Sequence, residues 1–391
     1  MSTTIDRQVD PAQVRALTEQ VLADHAGDDD ATLQGALYDA GLAWVSWPVG
    51  SGGLGAEPAM QDVIDTTLDA AGRRPEWFRN PMGVGMVGPA IAAHGTDEQR
   101  ARFLRPAYTA EEIWCQLFSE PGAGSDVATL STRAVRDGDE WVVNGQKVWT
   151  SAAHLSRFGL LLARTDPDVP KHQGITAFLM DMSLPGIEIR PLRQMNGDAH
   201  FNEVYMTDVR LPDSARLGGV GEGWRVAVTT LMNERVSIGG MVEAKGTSEI
   251  RLVLDTWRRK GGDAVARDQV ARLWIEAEVL RLGKLRAQQQ RERGVPGPEG
   301  SVLKLSGALL HQRTLSFAVD LLGADGMLIS GYDGEMSLDD IGRLFLRMQS
   351  STIAGGTSEI MRNILGERVL GLPPEPRADK DVAWTEIPKG A

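Results

Sequence analysis

Two places in this sequence hold residues whose types and spacing suit chemistry. The first is Trp114 to Asp126, WCQLFSEPGAGSD, where an apolar strand pattern runs into Pro121, Gly122, Gly124 and small polar side chains. Glycines let backbone N–H groups approach a ligand closely. On its residues alone the stretch is either a ligand-cradling loop or a plain turn. The second is Glu234. Ala227, Leu231, Glu234, Ile238 and Met241 follow i+3 and i+4 steps, so one helix face carries a single carboxylate on an apolar stripe. An unpaired carboxylate there costs several kcal/mol, and a helix keeps one that is paired, bound, or needed for proton transfer. A salt bridge to a neighbouring chain is the alternative to catalysis. The six histidines show no i,i+4 pairing and no carboxylate cluster, so no metal site is expected.

The elements around these residues fall into three kinds. Residues 11 to 112 read as helices between breaks at Gly41, Val49–Gly55 and Asn80-Pro81, with a capping-box pattern at Thr96 and Gln99. From 113 to 216 the period shifts toward strands, with Asp137-Gly138 and Asn144-Gly145 as tight-turn signals. From 217 to 372 helices return, roughly over 223–258, 265–292, 301–322 and 357–370, enough for a four-helix bundle. Residues 373–391 are polar and proline-rich and read as an extended tail.

The order of residues in SEPGAGSD resembles the signature of the acyl-CoA dehydrogenase family. WPVGSGGLG at 47–55, NGQKVWTS at 144–151, LMNER at 231–235 and IAGGTSEIMRNILGERVLG at 353–371 match in the same order, so the resemblance runs from about residue 30 to 372. It implies a multidomain α and β fold: an all-α N-terminal domain (1–112), a β-barrel middle domain (113–216) and a four-helix-bundle C-terminal domain (217–372). It also implies FAD as cofactor and an acyl-CoA as substrate. Electrons would pass to an electron-transfer flavoprotein, from a homo- or heterotetramer.

Carried over by position, Gln116, Phe118 and Ser119 would line the flavin, with Trp149 and Ser151 along the other side of its ring. Ordinary strand packing is the other reading of Trp149. Ser125 would meet the pantetheine or the flavin edge. Thr357 and Glu359 match FAD-contacting positions, although Thr357 alone reads as a helix N-cap. Many members place the catalytic glutamate two residues before the threonine of this last motif, where this chain has Gly355. Others place it before an arginine on the first helix of the C-terminal domain, which here is Glu234-Arg235. The resemblance therefore assigns the base to Glu234, a CoA-binding or loop-orienting role to Arg235, and a backbone N–H for the thioester oxygen to Gly355.

Two stretches depart from the family. Its R-x-x-F-G motif reads Arg258-Arg259-Lys260-Gly261-Gly262, followed by Gln269. The segment whose glutamine and paired glycines usually cradle pyrophosphate reads Asp320-Leu321-Leu322-Gly323-Ala324-Asp325-Gly326, and an aspartate near a diphosphate is unfavourable. These changes leave open a non-catalytic subunit of a hetero-oligomer, and an acyl-CoA oxidase is the third reading. The missing side chain at 355, with a resemblance to actinobacterial members that oxidise steroid side-chain thioesters, favours a bulky or branched acyl group.

A formal charge of −12, from 53 acidic and 41 basic residues, argues against nucleic acid and anionic membranes as partners. With one cysteine, no apolar leader, and no run near the ~18 apolar residues of a membrane span, the expected location is cytoplasmic.

Overall fold

The computed structural model describes residues 10–75, 79–239, 242–292, 297–329, 340–377, 379 and 381–387. Its residues form two compact units. One holds 1–192, 200–233 and 379–391, the other 193–199 and 234–378.

The first unit begins with helices α1 (Pro11–Asp24), α2 (Asp30–Asp39), α3 (Met60–Ala70), α4 (Gly88–His94) and α5 (Asp97–Tyr108). The capping box expected at α5 forms in full: Thr96 accepts from the Gln99 N–H, and the Gln99 side chain accepts from the Thr96 N–H. Eight strands follow: β1 (Trp114–Leu117), β2 (Arg133–Asp137), β3 (Glu140–Ser151), β4 (Phe158–Arg164), β5 (Ile175–Asp181), β6 (Ile187–Leu192), β7 (Phe201–Pro212) and β8 (Arg216–Leu217). They make one mixed sheet in the order β6-β7-β3-β2-β4-β5-β8, with β1 parallel to β4.

Alternation along the central strands feeds two cores. Phe158, Leu160 and Leu162 of β4 face the core shared with the N-terminal helices, while Leu161 and Ala163 face a second core with Phe178, Met180 and Val204. Strands buried on both faces read as continuous apolar runs, as FGLLLAR does here. β1 splits the same way: Trp114 joins the first core, and Cys115 and Leu117 the second, with Cys115 wholly buried. Full burial of such side chains is worth about 1.5–3 kcal/mol each.

Asp137-Gly138 makes the expected β2–β3 turn, but Asn144-Gly145 does not turn the chain. It lies inside β3, at a shift in the β3–β7 register between Val143 and Gly145. Thr132 packs against this point so closely that a Cβ on Gly145 would sit 2.4 Å from its Oγ1. Glycine is therefore required by the close approach and not by a turn.

The helical second half also differs from expectation at one place. The stretch read as a helix over 223–258 is two helices, α6 (Gly223–Gly239) and α7 (Ile250–Lys260). Residues 242–249 between them are not helical, and Gly246 takes a left-handed φ of 74° there. Then come α8 (Ala264–Glu292), α9 (Glu299–Leu322), α10 (Ile341–Met348) and α11 (Ser358–Ile364), which a π-helical turn extends over Leu365–Val369. Helix α10 has no counterpart in the sequence reading. Asp340 caps it, and its buried Arg343 donates to the Asn196 carbonyl beside Asp198.

Candidate functional site

In the first unit, Phe118 is buried at the end of β1, and Ser119 is half-buried. The Val148 N–H donates to the Ser119 carbonyl at 2.9 Å, joining the exit of β1 to β3. There the β3–β7 register breaks a second time, between Lys147 and Thr150. Trp149 sits in this break at φ 59° with its side chain 60% exposed, touching only the edge of Phe201 among aromatic rings of the described residues. Strand packing therefore does not explain Trp149. A bulge re-aims it outward, and a non-glycine residue held at positive φ costs about 1–3 kcal/mol. Gln116, Ser119 and Ser151 find no side-chain hydrogen-bond partner among the described residues. An exposed indole face beside three uncommitted polar side chains is a donor set that fits an aromatic heterocycle such as a flavin ring.

The strain at Trp149 gives a testable expectation. Trp149→Gly should leave the thermal midpoint of the flavin-free protein unchanged or higher, since little burial is lost and the positive φ is relieved. Flavin retention should fall. A midpoint several degrees lower would show that the ring is a packing element.

What holds this edge in place is a buried ion pair that the sequence reading did not single out. Lys147 is 0% and Glu120 8% exposed; the ammonium donates to Glu120 Oε1 at 2.8 Å and to the Phe118 carbonyl at 3.0 Å. The Glu120 carboxylate also accepts from the Ser131 and Thr132 N–H groups. Burial alone would raise the Glu120 pKa, but Lys147 and these N–H donors outweigh it and hold the carboxyl below its ordinary value. Burial lowers Lys147, and Glu120 offsets only part of that. Glu120 thereby joins the start of the SEPGAGSD loop both to β3 and to the segment that enters β2. Arg164 adds a third buried charge, brought down to about 10 by burial, whose N–H groups satisfy the Ala128, Leu130 and Lys171 carbonyls. Ser125 lies on the exposed tip of this loop.

In the second unit, the structure brings Glu234 and Gly355 together. Glu234 is half-buried on α6, and a Cβ built on Gly355 would lie 3.4 Å from its Oε1 and 3.8 Å from Cε of Lys304 on α9. Gly355 has φ 66°, so its left-handed backbone is a second reason for glycine beside free space. Its N–H donates to no acceptor among the described residues. Lys304 donates to the Ser351 carbonyl at 2.6 Å, which ties the turn ahead of Gly355 to α9. Burial lowers the Lys304 pKa and the charge of Glu234 partly restores it. On the stripe, Ala227 is buried and Leu231 partly so; the side chains of Arg235, Ile238 and Met241 lie outside the described residues.

Thr357 is the N-cap of α11, accepting from the Ile360 N–H. Glu359 is 75% exposed and pairs with Arg362. Arg258, in the last turn of α7, donates to Asp255, and Gln269 is half-buried on α8. Gly323 ends α9 at φ 60°. Asp325, one of two aspartates in the second departing stretch, pairs with Lys260 of the first at 2.5 Å. That hydrogen bond lowers its pKa below the ordinary aspartate value.

The chain belongs to the acyl-CoA dehydrogenase family, flavin-dependent oxidoreductases acting on CH–CH groups. The family models for the N-terminal, middle and C-terminal domains match residues 11–111, 115–209 and 221–370. Among curated relatives, acyl-CoA dehydrogenase FadE34 of Mycobacterium tuberculosis is 42% identical over 377 residues, covering 93% of this chain and 50% of FadE34. This chain thus spans half the length of that relative. Acyl-CoA dehydrogenase IpdE1 of the same organism is 40% identical over 342 residues, 87% of each protein. Among solved structures, the Tcur3481-Tcur3483 steroid ACAD has a TM-score of 0.73 at 28% identity, over 93% of this chain and 97% of that one. Among the described residues no helix is long and apolar enough to cross a membrane, and no group of three or more His, Cys, Asp or Glu could hold a metal ion.

Proposed function

We propose that this chain catalyses FAD-dependent α,β-dehydrogenation of an acyl-CoA thioester to the trans-2-enoyl-CoA. The observation that carries the reading is the meeting of the Glu234 carboxylate with the Gly355 backbone in one patch. The α-proton of a thioester is a weak acid, so removing it needs a base and a hydrogen-bond donor for the oxygen on which charge develops. Glu234 takes the proton. The Gly355 N–H, which has no acceptor of its own among the described residues, donates to the thioester oxygen. General-base assistance is worth about 10²–10⁴ in rate.

Bound FAD would supply the hydride acceptor for the β-hydrogen. Phe118, Ser119, Trp149 and Ser151 line its ring, with Gln116 beside them. Thr357, Glu359, Arg258, Gln269 and Gly323 are the further FAD contacts. Ser125 and Arg235 bind the CoA moiety. An electron-transfer flavoprotein takes the electrons, the assembly is a homo- or heterotetramer, and its location is cytoplasmic. Gly355 leaves room for a bulky or branched acyl group, a reading to which the likeness to a steroid ACAD adds support.

The test is to purify the full chain, alone and co-expressed with a candidate partner subunit. Acid or heat should release FAD, and anaerobic addition of a panel of acyl-CoAs should bleach the bound flavin, with branched or ring-bearing thioesters fastest. A chain that takes up no flavin in either form overturns the reading. A non-catalytic subunit is favoured only by the altered Arg258–Gly262 and Asp320–Gly326 stretches, and it predicts bleaching that survives loss of Glu234. Peroxide formation in air would assign an oxidase.

A further inference from the structure

Part of the stretch after the last helix, Asp379 and residues 381–387, does not hang free. In the first unit, Asp379 and the 381–387 segment lie back on the middle of the sheet domain. Ala383 forms an antiparallel bridge with Pro170, and the Trp384 and Thr385 N–H groups donate to the Val169 and Pro167 carbonyls at 3.0 and 3.1 Å. The Trp384 ring covers the Arg164 guanidinium at 4.8 Å.

These contacts converge on the segment that leaves the SEPGAGSD loop. Three successive carbonyls, those of Ala128, Thr129 and Leu130, face inward, where each needs a donor. Arg164 supplies the first and third, at 2.6 and 3.3 Å, and the Trp384 indole N–H supplies the second at 3.2 Å. One residue of the C-terminal segment therefore supplies the donor for the middle of these three carbonyls and also covers the cation that supplies the other two. A second tie lies upstream. Lys171 donates to Asp126 at 2.5 Å and also pairs with Asp379, so the aspartate that follows Ser125 shares one ammonium with the tail.

We infer that this C-terminal segment is a strap that fixes the conformation of the Pro121–Leu130 loop, and that Trp384, Asp379 and Lys171 are positioning residues for acyl-CoA binding. The substrate half rests on the proposed function, through Ser125 on the loop tip; the loop half does not. The strap touches none of the reacting atoms, so it acts on substrate affinity and not on the chemical step. Its sequence over 381–387, DVAWTEI, shows only a lone tryptophan in a polar tail.

The experiment compares wild type, Trp384→Ala, Trp384→Phe and Asp379→Asn as full chains by limited proteolysis and steady-state kinetics. Trp384→Ala should be cut within residues 121–130 about tenfold faster, since losing one ordering contact of about 1.4 kcal/mol opens the loop tenfold more often. KM for acyl-CoA should rise by a similar factor, with kcat and flavin content within about twofold of wild type. Trp384→Phe keeps a ring over Arg164 and should recover part of both effects; Asp379→Asn should show a smaller change in the same direction. If Trp384→Ala proves globally unfolded, Asp379→Asn decides by the same two readouts. Loop cleavage no faster than wild type overturns the strap, and faster cleavage with unchanged KM overturns its role in substrate binding. If wild type turns over no acyl-CoA, the proposed function fails while the cleavage pattern still decides the strap.

Discussion

Glu234→Gln is expected to keep its fold and its flavin and to slow anaerobic flavin bleaching by acyl-CoA about a hundredfold or more, because the amide preserves shape but cannot accept the proton. The control is Glu359→Gln. Glu359 is itself placed at an FAD contact, yet its side chain is 75% exposed and engaged with Arg362, whereas Glu234 approaches the Gly355 backbone. The control should retain most of the rate. Equal losses for the two variants, or an unimpaired Glu234→Gln, would remove Glu234 as the base. Binding of the enoyl product should change little in Glu234→Gln, since the missing group acts on a proton the product has already lost.

Lys147→Met is the second large effect, and it should appear in stability before activity. Removing one partner of a buried ion pair strands the other charge, at a cost of about 3–5 kcal/mol. Here Glu120 would keep the Ser131 and Thr132 N–H groups but lose its cation, and the Phe118 carbonyl would lose its donor. The pH dependence has a definite sign. In wild type the Glu120 carboxyl is held below its ordinary value, so its contribution to stability is present above the usual glutamate range and is lost as pH falls through the lowered folded-state pKa. In the variant a protonated Glu120 no longer needs a cation. The deficit relative to wild type should therefore be greatest at neutral pH and shrink toward about pH 4, near the ordinary glutamate value. Denaturant midpoints of both proteins at the two pH values measure it. An equal deficit at both would mean that Lys147 contributes through packing of its stem alone. Flavin retention should fall with stability, as the pair joins Phe118 to the strand that carries Trp149.

The sequence made the helix-to-strand-to-helix order legible because period and breakers are local signals. It also made Glu234 legible, since a carboxylate on an apolar stripe is a conflict visible within one helix. Positions set by approach from distant residues were not legible. Asn144-Gly145 has the composition of a hairpin turn, but the feature that requires glycine is Thr132, on another segment. The 223–258 pattern is periodic enough for one helix, and only the pair Gly239-Gly240 hints at the break. Lys147 lies inside NGQKVWTS. Alternation from Trp141 and Val143 carries it to the buried face, but a lysine there makes sense only once Glu120, 27 residues away in sequence, is known to meet it. Trp149 shows the reverse case. Its residue type suited either a core or a cofactor, and the backbone bulge that decides between them leaves no composition signal.

The buried position of Cys115 has a practical consequence for labelling. It is the only cysteine in the chain, and burial pushes its pKa up to about 12, with Ser156 and its own backbone offsetting only part of that rise. Alkylating reagents react with the accessible thiolate, which this residue does not offer near neutral pH. The native sequence is therefore already a silent background for thiol chemistry. A cysteine introduced at an exposed site, such as Val135 on β2 at 58% exposure, becomes the single reactive thiol, with no prior substitution in the core. A fluorophore or spin label can then be attached at one chosen position while both cores keep every native side chain.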